Sequence, residues 1–293
     1  MARARRSPLR IGFELERTSP KRTLGDVRFW APTKCLQFGA RRSFGQRRAQ
    51  YSKSGPAVLR RRVDWGRSYR QYATAMRTAD PQLWLIEGLP GSGKTSAAER
   101  LNALCAIDGI ASRWWLEESK DHPVLPATLR KKAKEPDFSD LCIQAFRDFV
   151  GTETGVLILE GSAFQNSIRF MFANARSEAE ISDYLAAWAD AVCAARPRLL
   201  MFEVKAPEDH YADFLAARRG AAWMEKLIAY VESTPVAEQR GWRGFDGFVQ
   251  FWANYQQLCL ACARALPWPI KFLPAWSEVG GFDDEAAYRF FRR

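Results

Sequence analysis

The chain has 293 residues, 47% hydrophobic and 13% aromatic, which is enough apolar surface for one α/β domain of ordinary size, or for a domain plus an appendage, with no need of disulfide staples. Six cysteines without a secretory leader pattern point to free thiols in a reducing, cytoplasmic setting, and no apolar run reaches the roughly 18 residues of a membrane span. The net charge of +11 is unevenly placed: the first 75 residues hold 19 of the 44 Lys/Arg and 4 of the 33 Asp/Glu, so they carry about +15 and residues 76–293 about −4. The basic balance therefore gives no reason to expect a nucleic-acid surface on the folded part.

In chain order, residues 1–75 come first. Their arginines cluster, as in Arg3-Ala4-Arg5-Arg6 and Arg60-Arg61-Arg62, and their apolar residues keep no helical or strand period. The segment reads as a disordered basic extension ahead of a domain at 76–293. Three explanations stay open: a basic arm for nucleic acid or membrane, an acid-poor targeting peptide, or a chain that starts at Met76. Met76 is preferred, because the first strand lies just beyond it. Nucleic acid could enter only through this arm, and a homodimer is left open.

Residues 83–87 form a short apolar run of strand type that leads into Gly88-Leu89-Pro90-Gly91-Ser92-Gly93-Lys94-Thr95, a match to G-x-x-x-x-G-K-[ST] at every defined position. Ala97, Ala98, Leu101, Leu104 and Cys105 follow at helical spacing. Strand, glycine-rich loop and helix together make a phosphate cradle: backbone N–H groups turn inward and the helix adds its positive end. Gly88, Pro90, Gly91, Ser92, Gly93, Lys94, Thr95 and Ser96 are the expected phosphate-binding residues. Lys94 is expected to reach the outer phosphates of a nucleoside triphosphate and Thr95 to hold magnesium.

A second strand is expected over 112–117, ending in carboxylates, and a helix over 138–150. The run over 156–161 is a third strand whose closing acid, Glu160, is the expected second magnesium-side residue. A helix over 177–194, a strand over 198–204, paired helices around Arg218-Arg219-Gly220, a helix over 245–266 and a strand over 270–273 complete the order. Alternating strands and helices predict a three-layer α/β sandwich with a mostly parallel, five-stranded sheet and ligands beyond the carboxyl ends of the strands.

Over roughly residues 82–276 these features resemble the thymidylate kinase-like branch of the nucleoside-monophosphate and nucleoside kinases. The resemblance rests on the Glu87-to-Thr95 start, acids closing the second and third strands, and a basic pair between helices after the fourth. Bacterial P-loop kinase-like proteins of unassigned substrate are most similar, sharing an acid shortly before His-Pro (Glu117 before Asp121-His122-Pro123) and the stretch Phe164-Gln165-Asn166. The resemblance implies a P-loop kinase that moves the γ-phosphoryl group of ATP, with Mg2+, to a small-molecule acceptor. It implies that Arg219, with Arg218 second, closes over the phosphates as a lid, and that Glu117 or Glu118 serves as the base for a hydroxyl. Gln165, Asn166, Arg169 and His122 would line the acceptor pocket. One departure stands out: the family's Asp-Arg after the third strand, where the arginine grips an acceptor phosphate, is replaced by Gly161-Ser162-Ala163, which favours a hydroxyl acceptor without phosphate.

Cys259 and Cys262 have C-x-x-C spacing but lie in a helical apolar pattern, so core packing is expected. The rival functions are an ATPase, or a non-catalytic nucleotide-binding protein with a nucleic-acid-binding basic arm. A GTPase is disfavoured, because no Asn-Lys-x-Asp motif is present.

Overall fold

In the computed structural model residues 81–293 are described, so the expected basic extension over 1–75 and its boundary at 76 lie outside the described residues. Five strands, β1 (Gln82–Glu87), β2 (Ser112–Trp115), β3 (Val156–Glu160), β4 (Arg198–Glu203) and β5 (Ile270–Pro274), form one sheet in the order β2-β3-β1-β4-β5. Every neighbouring pair is parallel. Parallel neighbours require crossovers, and helices supply them: α1 (Lys94–Ile107), α2 (Phe138–Thr152), α3 (Glu178–Val192), α4 (Ala221–Glu232) and α5 (Gly244–Ala265). A last helix, α6 (Asp284–Arg292), follows β5 and was not expected from the sequence. The architecture is that of a P-loop NTPase-like α/β fold.

Side chains alternate across a strand, and this alternation builds three layers from strands that read as continuous apolar runs. Leu83, Leu85, Leu157, Leu159, Leu199 and Met201 enter a large core with α2, α3 and α5. Trp84, Ile86, Ile158, Leu200 and Phe202 face the other way, onto α1 and α6. The α6 contact is aromatic: Phe291 stacks on Trp84 with ring centroids 4.8 Å apart, a burial that contributes about 2–3 kcal/mol. Cys259 and Cys262 are buried in α5, as core packing requires. Among the described residues no helix is long and apolar enough to cross a membrane.

The centre of the sheet positions the site. Ile86 of β1 is in register with Glu160 of β3, and Gly161 N–H donates to the Ile86 carbonyl. The phosphate loop and the third-strand acid therefore leave the sheet side by side, where the crossover direction reverses and a crevice opens.

Candidate active site

The loop after β1 keeps its shape because glycine stands where a side chain cannot. At Gly88 φ is +149°, and a Cβ would lie 2.6 Å from Ser92 Oγ and 2.8 Å from Phe202 Cβ. Ser92 N–H closes the turn onto the Leu89 carbonyl at 3.1 Å. Lys94 is buried; its Nζ donates across the loop to Leu89 O at 3.2 Å and lies 3.5 Å from Glu117 Oε2. Thr95 Oγ1 donates to Glu160 Oε1 at 2.5 Å. Burial pushes the Glu160 carboxyl up to about 7, against the pull of Lys94 and the Thr95 hydroxyl, and the neighbouring charge of Glu117 adds to the rise. Glu160 Oε2 is buried without a hydrogen-bond partner. A hydroxyl beside a desolvated carboxylate with an unspent oxygen is a donor set suited to a small, hard divalent cation.

Beyond the loop the chain gathers two more acids. Glu87 is fully buried; its Oε1 accepts the N–H groups of Ala163 and Phe164 at 2.7 and 3.2 Å, and its Oε2 that of Gln165 at 3.3 Å. It thus caps the π-helical turn Ala163–Ile168, and burial holds its carboxyl near 7 despite those bonds. Because β2 stops at Trp115, Glu117 leaves the sheet and turns back toward the phosphate loop. Gln165 Nε2 donates to Glu117 Oε1 at 2.6 Å, while Glu117 Oε2 has no hydrogen bond. That oxygen explains the glycine after β3: at Gly161, φ +59°, a Cβ would sit 2.1 Å from it. Glu118, the other candidate base, is exposed and reaches none of these groups; its charge acts on Arg130 instead.

His122, expected in the acceptor pocket, is 1% exposed and structural. Its Nδ1 accepts the N–H groups of Val124 and Leu125 at 3.3 and 3.2 Å, so Nε2 carries the proton and donates to Ser162 Oγ at 2.9 Å. Both ring nitrogens are used, and burial lowers the imidazole pKa to about 4, keeping it neutral. Gln165 and Asn166 are buried on the π-helical turn; Asn166 Nδ2 has no hydrogen-bond partner. Arg169 Nε donates to the Gln165 carbonyl at 2.7 Å and Nη1 to the Tyr230 hydroxyl of α4 at 2.5 Å.

The expected lid residues lie along the cleft beside the Gly88-to-Thr95 loop. A cleft of about 480 Å3 is lined by Gly91, Lys94, Thr95, Arg218, Arg219 and Trp276, among others. Arg218 and Arg219 close the short helix Ala216–Arg219 just before Gly220, with the Arg219 guanidinium 5.7 Å from the Trp223 ring centre. Ser96 follows Thr95 along the same cleft wall.

Four residues to which the sequence reading gave no site role matter here: Glu87 as a buried cap, Arg130, His210 and Trp276. The Trp276 N–H donates to Ser92 O at 2.9 Å, and the side chain packs on Gly93. His210 Nε2 lies 2.8 Å from Pro90 O; a carbonyl only accepts, so Nε2 donates and Nδ1 takes the Ser277 hydroxyl at 2.8 Å. The stretch that leads to Arg218 and Arg219 is thereby fastened at His210 to the loop after β1 and to the segment after β5. A position immediately beyond the last strand could have flagged Trp276; no local signal marks His210 or Arg130.

The chain matches no family model and no curated protein. Among solved structures it is similar to a shikimate kinase from Bacteroides thetaiotaomicron, at 13% identity and TM-score 0.36 over 71% of this chain and 94% of that one. It is also similar to thymidylate kinase from Candida albicans, at 14% identity and TM-score 0.37 over 74% and 92%. Likenesses this slight carry no functional inference; the strand order and the phosphate loop define the class as P-loop NTPase-like.

Proposed function

We propose that this chain is a small-molecule kinase, which transfers the γ-phosphoryl group of ATP to a hydroxyl of its acceptor with magnesium at Thr95 and Glu160. One observation carries the reading: Glu117 holds a carboxylate oxygen free of hydrogen bonds 3.5 Å from the phosphate-loop lysine. Phosphoryl transfer needs positioning and charge neutralisation more than covalent chemistry. When bound, Mg–ATP supplies the phosphoryl group and the metal its counter-charge. Lys94 neutralises phosphate charge, and Glu117, steadied by Gln165, takes the proton of the acceptor hydroxyl. Arg219 and Arg218 close over the cleft and exclude water.

The test is the full chain with magnesium and γ-labelled ATP, offered a panel of hydroxylated nucleosides, nucleotides, sugars and acids. Label is expected in one acceptor class, and Glu117→Gln is expected to lower kcat by about 10²–10⁴ with KM for ATP little changed. Label in free phosphate alone would make the protein an ATPase, and label nowhere a nucleotide-binding protein.

A further inference from the structure

Resting on the reading of Glu117 as the base, we propose that Glu87 is its positioning residue: the buried carboxylate holds the π-helical turn that carries Gln165, and through Gln165 it sets where the Glu117 carboxylate stands. A helical turn begins with N–H groups that its own ladder cannot satisfy. At Ala163–Ile168 no local side chain caps them, because the Ser162 hydroxyl is already engaged, donating to the Glu160 carbonyl and accepting from His122. The acceptor comes instead from the end of β1. Glu87 takes the N–H groups of Ala163, Phe164 and Gln165, the first three of the turn.

The main chain of Glu117 is braced separately. Arg130 Nη2 donates to Glu117 O at 2.5 Å and to Ser119 O at 3.3 Å, and its Nε donates to Leu125 O at 3.0 Å. What remains to be placed is the carboxylate, and Gln165 Nε2 holds it at 2.6 Å, with its other oxygen 3.5 Å from Lys94 Nζ. Gln165 Oε1 is buried without a hydrogen-bond partner. No second bond anchors that side chain, so its position follows its own main chain, which Glu87 holds.

The hold depends on the charge of Glu87. Its Oε1 accepts two N–H groups, the nearer at 2.7 Å, whereas Oε2 accepts one at 3.3 Å. Oε2 is therefore the more basic oxygen and takes the proton when the carboxyl is neutral. An Oε2–H group would face the Gln165 N–H, donor against donor, and that bond is lost while the two on Oε1 remain. Burial raises the carboxyl to about 7, against the three N–H bonds and Lys94, so the exchange falls near neutral pH. Among the described residues the charge that reaches Glu87 is that of Lys94; Tyr184 of α3 and Tyr255 and Cys259 of α5 also face it and stay neutral, because burial raises all three.

Glu87→Gln copies the neutral carboxyl: its amide oxygen serves Ala163 and Phe164, and its NH2 faces the Gln165 N–H. The full chain, 15N-labelled, is followed by NMR from pH 5.5 to 8.5 at the Gln165 backbone and side-chain amides. Turnover is measured over the same range with γ-labelled ATP, saturating magnesium and the acceptor that takes label. In the parent both Gln165 signals should shift with a midpoint near 7, and in Glu87→Gln they should stay flat. Glu160 titrates in the same region, and the difference between parent and variant removes its share. Parent kcat should exceed that of the variant by less than about threefold at pH 5.5 and by about tenfold or more at pH 8, with KM for ATP within a few-fold. Over that interval the variant gains stability relative to the parent, so a deficit in turnover that grows with pH separates positioning from capping. Gln165→Ala added to Glu87→Gln should cost little more.

Equal kcat for parent and Glu87→Gln at pH 8, Gln165 signals that do not titrate in the parent, or a raised KM for ATP with kcat unchanged overturns the role given to Glu87. If Glu87→Gln does not fold, the Gln165 titration decides alone, measured in Glu160→Gln so that a single acid titrates near 7. Label in no acceptor removes the kinase reading and leaves the Gln165 signals to decide whether Glu87 governs the turn.

Discussion

Replacing Gly161 by alanine would put a methyl group where the Glu117 carboxylate lies. The new Cβ falls 2.1 Å from Oε2 and 3.0 Å from Cδ, so the Glu117 side chain has to swing away. It then loses its 2.6 Å bond to Gln165 and its 3.5 Å approach to Lys94. The backbone remains left-handed at φ +59°, which costs an alanine about 1–2 kcal/mol. For a domain of this size that strain lowers Tm by about 2–8 °C, measured by calorimetry or circular dichroism, and the fold survives. Turnover in the γ-label assay should fall about 10²–10⁴-fold, the worth of a positioned base. KM for ATP should stay within a few-fold, because the three atoms nearest the new methyl group all belong to Glu117. Adding Glu117→Ala to Gly161→Ala should cost little more, since both changes remove the same group. Wild-type turnover in Gly161→Ala, with ATP as donor, would refute the role given to Glu117 at this position.

The remaining predictions concern the phosphate loop, the metal side and the buried acid. Lys94→Ala should abolish measurable ATP binding by calorimetry or cut turnover about 10³-fold with the fold retained; full activity would end the P-loop mechanism. Glu160→Gln keeps an oxygen for the Thr95 hydroxyl but removes the charge, so the magnesium concentration for half-maximal activity should rise about tenfold or more; an unchanged magnesium curve would take Glu160 off the metal side. Glu87 gives a pH signature. Its carboxyl is raised from 4.5 to about 7 in the folded chain, so the folded state holds the proton more tightly than the unfolded one. Its contribution to stability is full below pH 4.5 and is lost as pH rises through 7, by up to about 3 kcal/mol. His122, lowered to about 4, acts in the opposite sense between 6.5 and 4, so the measurement is a difference: urea unfolding of Glu87→Gln minus that of the parent, from pH 5 to 8. The variant should gain relative stability as pH rises, and a flat difference would show that Glu87 does not titrate in this window.

The phosphate loop was legible because its chemistry is contiguous: glycines, lysine and threonine act within one turn, on residues next to one another in the chain. Glu160 was legible for a related reason, since a buried strand next to the first places its closing acid beside Thr95. Helix and strand positions followed from apolar spacing, and the observed ends of β1, β3, β4 and α5 differ from the expected ones by a residue or so. The short β2 and the closing α6 departed further, because their limits depend on what packs against them: Trp84 meeting Phe291 decides α6, over 200 residues apart in sequence.

Only the tertiary structure separated Glu117 from Glu118. The two are adjacent and chemically alike, and what divides them is a gap above Gly161 that just admits one carboxylate. The same holds for His122, whose ring is consumed by Val124, Leu125 and Ser162, and for Arg130, which no motif marks. The sequence by itself determined the strand–glycine loop–helix unit around Lys94 and Thr95 and the α/β class, because these arise from local conformation and periodicity. The meeting of Lys94, Glu117 and Gln165 was decided by the strand order β2-β3-β1-β4-β5, which brings the ends of β1, β2 and β3 together, and side-chain packing between segments distant in sequence leaves no trace in the spacing of either one.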